Sequence, residues 1–224
     1  MIEIAKNVYQ LPLLPRNSIN CYVVDDLLID AGIRASASKI LKSIKSHKIN
    51  AHLLTHAHAD HQGSSSLICE RLSIPLWTSE KEKNNAESGR VVDDYPNPRH
   101  FVARFQQLNW AGKGVKVSQT LKEGDEVGSF TVIETPGHSI GHISFFRESD
   151  RVLIAGDALV NMNLLTTLVG LNTPPALFTT DTYQMKESVC KLNKLNPSVI
   201  CFGHGPVLHN DKGQLEKLVE RMGC

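Results

Sequence analysis

Thr55-His56-Ala57-His58-Ala59-Asp60-His61 is the stretch from which the rest of this chain can be read. Four side chains able to bind a metal, His56, His58, Asp60 and His61, stand within six residues. Neutral imidazole and carboxylate are common ligands of zinc and of harder first-row metals. A helix cannot point all four donors one way. A strand cannot either, because the step from Asp60 to His61 breaks the alternation. A loop leaving a strand end and entering a helix can aim them into one pocket. The flanks supply those parts. Ala51–Thr55 is a short apolar run that reads as a buried strand, and Gln62–Leu72 reads as a helix opened by Gly63 and three serines.

Upstream, Ile2–Ile4, Val8–Leu11, Ile19–Val24 and Leu27–Asp30 read as strands. The last two form a hairpin across Asp25-Asp26. Ser36–Ser46 carries Ile40, Leu41 and Ile44 among lysines and serines, a modest amphipathic helix. Downstream, Ile74–Thr78 is another strand. Glu80–Gly114 is polar and weakly periodic, with some helix expected around Arg99–Gln107. Val115–Val117, Asp125–Val127, Ser129–Glu134, Ile143–Arg147 and Arg151–Ala155 read as a run of antiparallel strands. Ala158–Thr180 reads as irregular. Tyr183–Leu195 and Gly213–Met222 are helices, and Ser198–Phe202 is a buried strand. The expectation is one domain over 1–224, with substrate-loop insertions at 80–114 and 158–181. Met162, Leu164, Leu165, Leu168, Leu171 and Phe178 in the second insertion read either as an apolar wall or as ordinary packing. Tyr95, Tyr183 and Arg99 are possible substrate contacts that spacing does not single out.

The bulk composition excludes several classes. With 24 Lys plus Arg against 23 Asp plus Glu, the formal net charge is +1, so no nucleic-acid or anionic-membrane footprint is expected. The apolar runs are too short to span a bilayer. Met1-Ile-Glu-Ile-Ala-Lys has no basic region followed by an apolar stretch, so no secretion signal is expected. Five scattered cysteines (Cys21, Cys69, Cys190, Cys201, Cys224) form no Cys-x-x-Cys, and they read mostly as buried small hydrophobes in a cytoplasmic protein. Ten histidines are the one compositional oddity.

Three further stretches repeat the local setting of the first, a metal-capable residue beside glycine just past a predicted strand. They are Thr135-Pro136-Gly137-His138, Ala155-Gly156-Asp157 and Phe202-Gly203-His204-Gly205. Together they give seven candidates: His56, His58, Asp60, His61, His138, Asp157 and His204. One tetrahedral ion needs four protein ligands, or three and a water. Seven donors suit two ions sharing a bridging carboxylate. His142 reads as a hydrogen-bonded structural histidine and His52 as buried near the motif. His47, His100 and His209 read as surface residues.

The ordered series His-x-His-x-Asp-His, Thr-Pro-Gly-His-Ser-x-Gly-His, Gly-Asp-Ala-Leu and Gly-His-Gly-Pro resembles the metallo-β-lactamase superfamily of hydrolases, and the resemblance runs from the N-terminal strands to His204. It implies an α/β fold, a four-layer αβ/βα sandwich with metals at one edge of the paired sheets. It implies that His56, His58 and His138 hold a first metal and that Asp60, His61 and His204 hold a second. Asp157 would bridge the two. Zinc is the expected metal, with iron or manganese as alternatives. The implied reaction is attack by a metal-bridging hydroxide on an ester-like bond of a small molecule, with Asp60 orienting that hydroxide.

Asp157 in Gly156-Asp157-Ala158 departs from true lactamases, which commonly place Cys or Ser there, and moves the resemblance towards glyoxalase II-like thioesterases and lactonases. Twenty residues follow His204, where glyoxalase II carries a helical extension for glutathione. The extra domain and basic surfaces of superfamily nucleases are not expected. Two rival readings stand beside the hydrolase: a mononuclear iron persulfide dioxygenase, and a metal-binding protein without turnover. Oligomeric state is not legible.

Overall fold

The computed structural model describes residues 1–223. Cys224, expected with the other cysteines, lies outside the described residues. The first sheet runs in spatial order β1 (Ile2–Ala5), β2 (Val8–Pro12), β3 (Asn20–Val24), β4 (Leu27–Ile29), β5 (Ala51–Leu53), β6 (Leu76–Ser79) and β7 (Val117–Leu121). Its first four strands pair antiparallel, and the rest are added in parallel. The second sheet contains β8 (Glu126–Val127), β9 (Phe130–Glu134), β10 (Ile143–Arg147) and β11 (Val152–Gly156). After a separate hairpin, β12 (Val160–Met162) and β13 (Val169–Asn172), it takes up β14 (Val199–Phe202) and β15 (Leu208–His209).

Alternation along the strands builds the layers. In β3, Tyr22 and Val24 face the second sheet, while Cys21 and Val23 face the helices on the outside. In β11, Val152 and Ile154 meet the first sheet, and Leu153 and Ala155 turn the other way. The inter-sheet core joins Tyr22, Leu27 and Leu53 to Phe130, Phe145 and Ile154. Outside the first sheet, Ile40 of α1 (Ala37–Ser43) and Ile68 of α3 (Ser65–Leu72) pack on Val23 and Leu28; the short α2 (Ala59–Gln62) lies between these helices in sequence. Outside the second sheet, Val189 and Leu192 of α6 (Thr182–Lys194) join Leu215, Leu218 and Val219 of α7 (Gln214–Met222). The result is helix, sheet, sheet, helix, as expected. Cys21, Cys69 and Cys201 are free and buried, consistent with their reading as small hydrophobes.

Two expectations need correction. The strand at Val117 does not open the antiparallel run; it closes the first sheet, parallel to β6. The preceding excursion contains α4 (Lys83–Ser88) and α5 (Phe101–Asn109), and a connection of that length permits a parallel return. Within 158–180 the chain forms the β12–β13 hairpin rather than irregular structure, with Val160 opposite Asn172. Three- and four-residue strands containing Asn and Gly carry too little period-2 signal to be seen in advance. No helix among the described residues is long and apolar enough to cross a membrane.

Candidate metal centre

β9 is antiparallel to β10, and β10 to β11, so β9 and β11 run the same way; β14 is parallel to β11. Their carboxyl ends therefore share one edge. His138 follows β9, Asp157 follows β11 and His204 follows β14. The end of β5 is fastened to the same edge, because the Ile143 N–H donates to the Thr55 carbonyl at 2.9 Å. His56 and His58 lie on the loop leaving β5, and Asp60 and His61 lie on α2. All seven candidates are buried. They form three overlapping donor groups: His56 with His58 and His138; His56 with His61 and Asp157; Asp60 with His61 and His204. His204 Nε2 lies 3.0 Å from Asp157 Oδ2 and 3.3 Å from Asp60 Oδ2.

Gly203 lets the β14 end come this close. A Cβ there would collide with the Asp157 carboxylate and the His61 ring. Gly156, at φ +56°, turns β11 so that Asp157 faces the edge.

Hydrogen bonds around the cluster fix which ring nitrogen is exposed to it. The Thr55 hydroxyl donates to Asp30 (2.9 Å to Oδ2), so His56 Nδ1, 3.0 Å from the same hydroxyl oxygen, must be the donor there. Asp30 Oδ2 also accepts from His61 Nδ1 at 2.9 Å. His204 Nδ1 donates to the Ser18 carbonyl at 2.5 Å. Thr179 gives its proton to the Pro175 carbonyl, so His138 Nδ1 donates to Thr179 Oγ1 over 3.5 Å. In the neutral His56 and His138 rings this leaves Nε2 with a free lone pair; in His61 and His204 it turns Nε2 towards the Asp157 carboxylate. His58 is reversed: its Nε2 faces Asp94 Oδ1 at 3.7 Å, and Nδ1 remains.

Electrostatics divide the cluster into two halves. Burial, with the neighbouring His61, His58 and His138 rings, holds His56 well below the usual imidazole range. Burial and His58 do the same for His138, against the pull of Asp157. These rings are neutral and can donate lone pairs. Burial also disfavours charge on His61 and His204, but carboxylates outweigh it. Asp157 and Asp30 lift His61 well above its ordinary value. Asp157 and Asp60 lift His204 to about 10. Despite burial, Asp157 is held well below the carboxylate range by His204 and His61. Asp60, also opposed by burial, is brought to about 2 by His204 and His61.

The donor set fits metal ions. Nε2 of His56, His61 and His138 and Oδ1 of Asp157 are buried in the cluster without a hydrogen-bond partner, as is His58 Nε2 on its Asp94 side. Such atoms cost free energy unless something satisfies them. A convergent set of imidazole nitrogens and carboxylate oxygens suits zinc, iron or manganese.

Three supporting carboxylates were not among the sequence candidates. Asp30 sits at the end of β4. Glu82 accepts from Ala57 N–H, Ser139 O–H and Gly141 N–H, tying the two ligand loops together. Asp94 has both carboxylate oxygens buried and unpartnered beside His58. Only the strand-end position of Asp30 carries a sequence signal; the other two lie in the polar excursion. His142 is the hydrogen-bonded histidine expected, accepting from Asp157 N–H at 3.0 Å. Burial keeps it neutral, with its pKa at about 3. His52 is buried between the Leu28 carbonyl and Ser65. Of the expected surface histidines, His209 is exposed, His47 is half-buried, and His100 is half-buried because it caps α5.

A cavity of about 370 Å³ opens onto His58, Asp60, His138, Asp157 and His204. Both insertions wall it: Tyr95, Val102, Gln106 and Trp110 from the first, Met162, Leu164, Leu165 and Phe178 from the second. Tyr95 packs edge-on against His58, ring centroids 4.5 Å apart, and donates to Gln106 Oε1 at 3.0 Å. Leu168 does not line it, being 69% exposed, and Leu171 packs towards the core of the second sheet. Tyr183 and Arg99 are exposed and do not line it.

Residues 14–204 match the family model of the metallo-beta-lactamase superfamily. The chain is 33% identical to a probable metallo-hydrolase, YflN, of Bacillus subtilis (strain 168), over 99% of this chain and 89% of that protein. Its fold superposes on the crystal structure of BLEG-1 B3 metallo-beta-lactamase with a TM-score of 0.73 and 25% identity, covering 97% of this chain and all (100%) of that one. It also superposes on TTHA1623, solved in a di-iron-bound form, with a TM-score of 0.66 and 26% identity, covering 95% of this chain and 96% of that one. On its order of motifs, its paired sheets and the family match along most of its length, the chain belongs to the metallo-beta-lactamase superfamily.

Proposed function

We propose that the chain is a dinuclear metal-dependent hydrolase that cleaves an ester-like bond (a lactone, thioester or carboxyl ester) of a small molecule. One observation carries the reading: seven buried donors in three overlapping groups at the floor of an open cavity. In this reading His56, His58 and His138 hold one ion, Asp60, His61 and His204 hold the other, and Asp157 serves both. The di-iron form of TTHA1623 supports a two-ion site of this design. Zinc remains the first metal to test, with iron and manganese behind it. When bound, such ions supply a water acidified to near neutrality and a Lewis acid for the carbonyl oxygen.

The chain's own residues set the geometry. Asp60 lines the cavity and can accept a hydrogen bond from the attacking water, aligning its lone pair with the carbonyl carbon. Asp30 holds His61, and the Thr55 hydroxyl holds His56, so the donor atoms need not reorganise during the reaction. Burial, then Asp60 and Asp94, push the Tyr95 phenol well above its ordinary value, so it stays neutral and serves as a wall. We read residues 1–224 as one domain whose insertions at 80–114 and 158–181 shape the substrate site.

The test is metal analysis of the purified protein beside a panel of lactone, thioester, carboxyl ester and β-lactam substrates. Two equivalents of metal with turnover on a carbonyl ester support the reading. One equivalent of iron, no hydrolysis and oxygen uptake with a persulfide would replace it with the dioxygenase. Bound metal with no turnover of either kind would favour a non-catalytic metal protein.

A further inference from the structure

We infer that the acyl part of the substrate is an uncharged aliphatic chain, and that the cavity rejects acyl groups bearing a distal carboxylate. This rests on the hydrolase reading and adds the chemistry of what is hydrolysed.

The first ground is charge. No Lys or Arg lines the cavity among the described residues; its ionisable groups are Tyr95 and the donor residues themselves. A carboxylate at the far end of an acyl chain would be held away from the donors, among Leu164, Leu165, Met162 and Phe178, with no Lys or Arg in the lining to meet it. Taking a charge out of water without a partner is strongly unfavourable. The exposed Arg16 lies outside the lining, its Nη1 engaged as donor to Thr167 Oγ1 at 2.6 Å.

The second ground is the wall. Ile19, Val102, Trp110, Met162, Leu164 and Phe178 surround the space over the donors. Leu165 also lines it, although it is 95% exposed. Large apolar groups left in water at the mouth of a site gain when an apolar ligand covers them.

The third ground is continuity. A second cavity of about 320 Å³ shares Met162, Leu164, Leu165 and Pro175 with the first. None of its lining residues is ionisable. A chain whose carbonyl sits at the donors can therefore pass over Leu164 and Leu165 and continue without meeting a charge.

The experiment has two readouts on the metal-loaded protein. Calorimetry measures binding of straight-chain primary alcohols from butanol to decanol. Steady-state kinetics compares alkyl esters and lactones of the same chain lengths with matched esters that end in a carboxylate. Affinity and kcat/KM are expected to rise about three- to fourfold per methylene until the chain fills the cavities. The carboxylate-ended esters should be at least tenfold poorer than neutral esters of equal length. The double variant Leu164→Lys and Leu165→Lys should flatten the chain-length slope in both readouts and shift the ratio towards carboxylate-ended esters by at least tenfold. Turnover with no chain-length dependence, or a preference for carboxylate-ended esters in the unsubstituted protein, overturns the proposal and leaves the hydrolase standing. Alcohols that bind with the expected slope while no ester is cleaved uphold the apolar site and remove the hydrolase.

Discussion

Glu82 Oε2 accepts the Ala57 N–H at 2.9 Å, between the two histidines of the first motif. Its other oxygen takes the Gly141 N–H at 2.9 Å and the Ser139 hydroxyl at 2.7 Å. One fully buried carboxylate thus sets the spacing between the loop carrying His56 and His58 and the loop carrying His138. Glu82→Ala would leave three donors without partners. It is expected to cost about 3 kcal/mol of stability by urea unfolding and to lower metal retention. Glu82→Gln keeps the shape and should cost less than half as much. Equal stability of all three proteins would show that the carboxylate does not hold the loops.

Asp30→Ala removes the acceptor of His61 Nδ1 and of the Thr55 hydroxyl. Loss of such a partner typically weakens metal binding 10- to 100-fold. The weaker of two calorimetric zinc sites should move by about that factor. The His56–His58–His138 group should respond less, because only His56 senses Asp30, and only through Thr55.

Metal uptake should release protons and tighten with pH. Asp157 and Asp60 hold a proton on His204 up to about pH 10, and a metal must displace it. Zinc affinity should therefore rise about tenfold per pH unit for each such proton between pH 7 and 10. Asp60, lowered to about 2, contributes no proton in that range. Stability of the metal-free protein should follow the opposite course. The raised His204 stabilises the fold fully below the unfolded histidine value near 6.5, and this is lost as pH rises through about 10. The lowered Asp60 stabilises it above about 3.8, and this is lost as pH falls through about 2. Urea midpoints with and without chelator across pH 1.5–11 give both slopes.

Asp157→Ala should sharply reduce metal content and activity together, since His204 loses its nearest carboxylate and His61 loses the one facing its Nε2. Unchanged metal content would end the bridging role. Cys201→Ala is the contrast. Cys201 is fully buried in the inter-sheet core. Its truncation should cost about 1 kcal/mol and leave metal content unchanged.

Ligand residues were legible because they break every regular period: no helix or strand needs His-x-His-x-Asp-His. Strands such as Ile19–Val24 and Ile143–Arg147 were legible because β-branched and aromatic residues dominate them on both faces, which both-face burial allows. What orients the ligands was not. Glu82 and Asp94 stand in a stretch whose composition is that of a solvated loop, and only the tertiary return of the excursion places their carboxylates beside His58 and Ala57. The placement of Val117–Leu121 was hidden for a related reason. Partner choice depends on the length of what precedes the strand, and its own residues read the same in either sheet. The second insertion showed its apolar character plainly, but which leucines border the cavity depended on the β12–β13 turn, which places Leu164 and the exposed Leu165 along its wall and leaves Leu168 off it.

The arrival of β14 beside β11 has a consequence for how the chain is made. The two strands are parallel neighbours, yet they are separated in sequence by the hairpin and by α6. His204 enters the cluster only once that pairing exists. During synthesis from the N-terminus, the His56–His58–His138 group can assemble while the last strands and α7 are still unmade. The Asp60–His61–His204 group must wait for nearly the whole chain. On the two-ion reading, loading of the second group would be a late event, and a filled site would mark a chain whose two halves have already closed on each other.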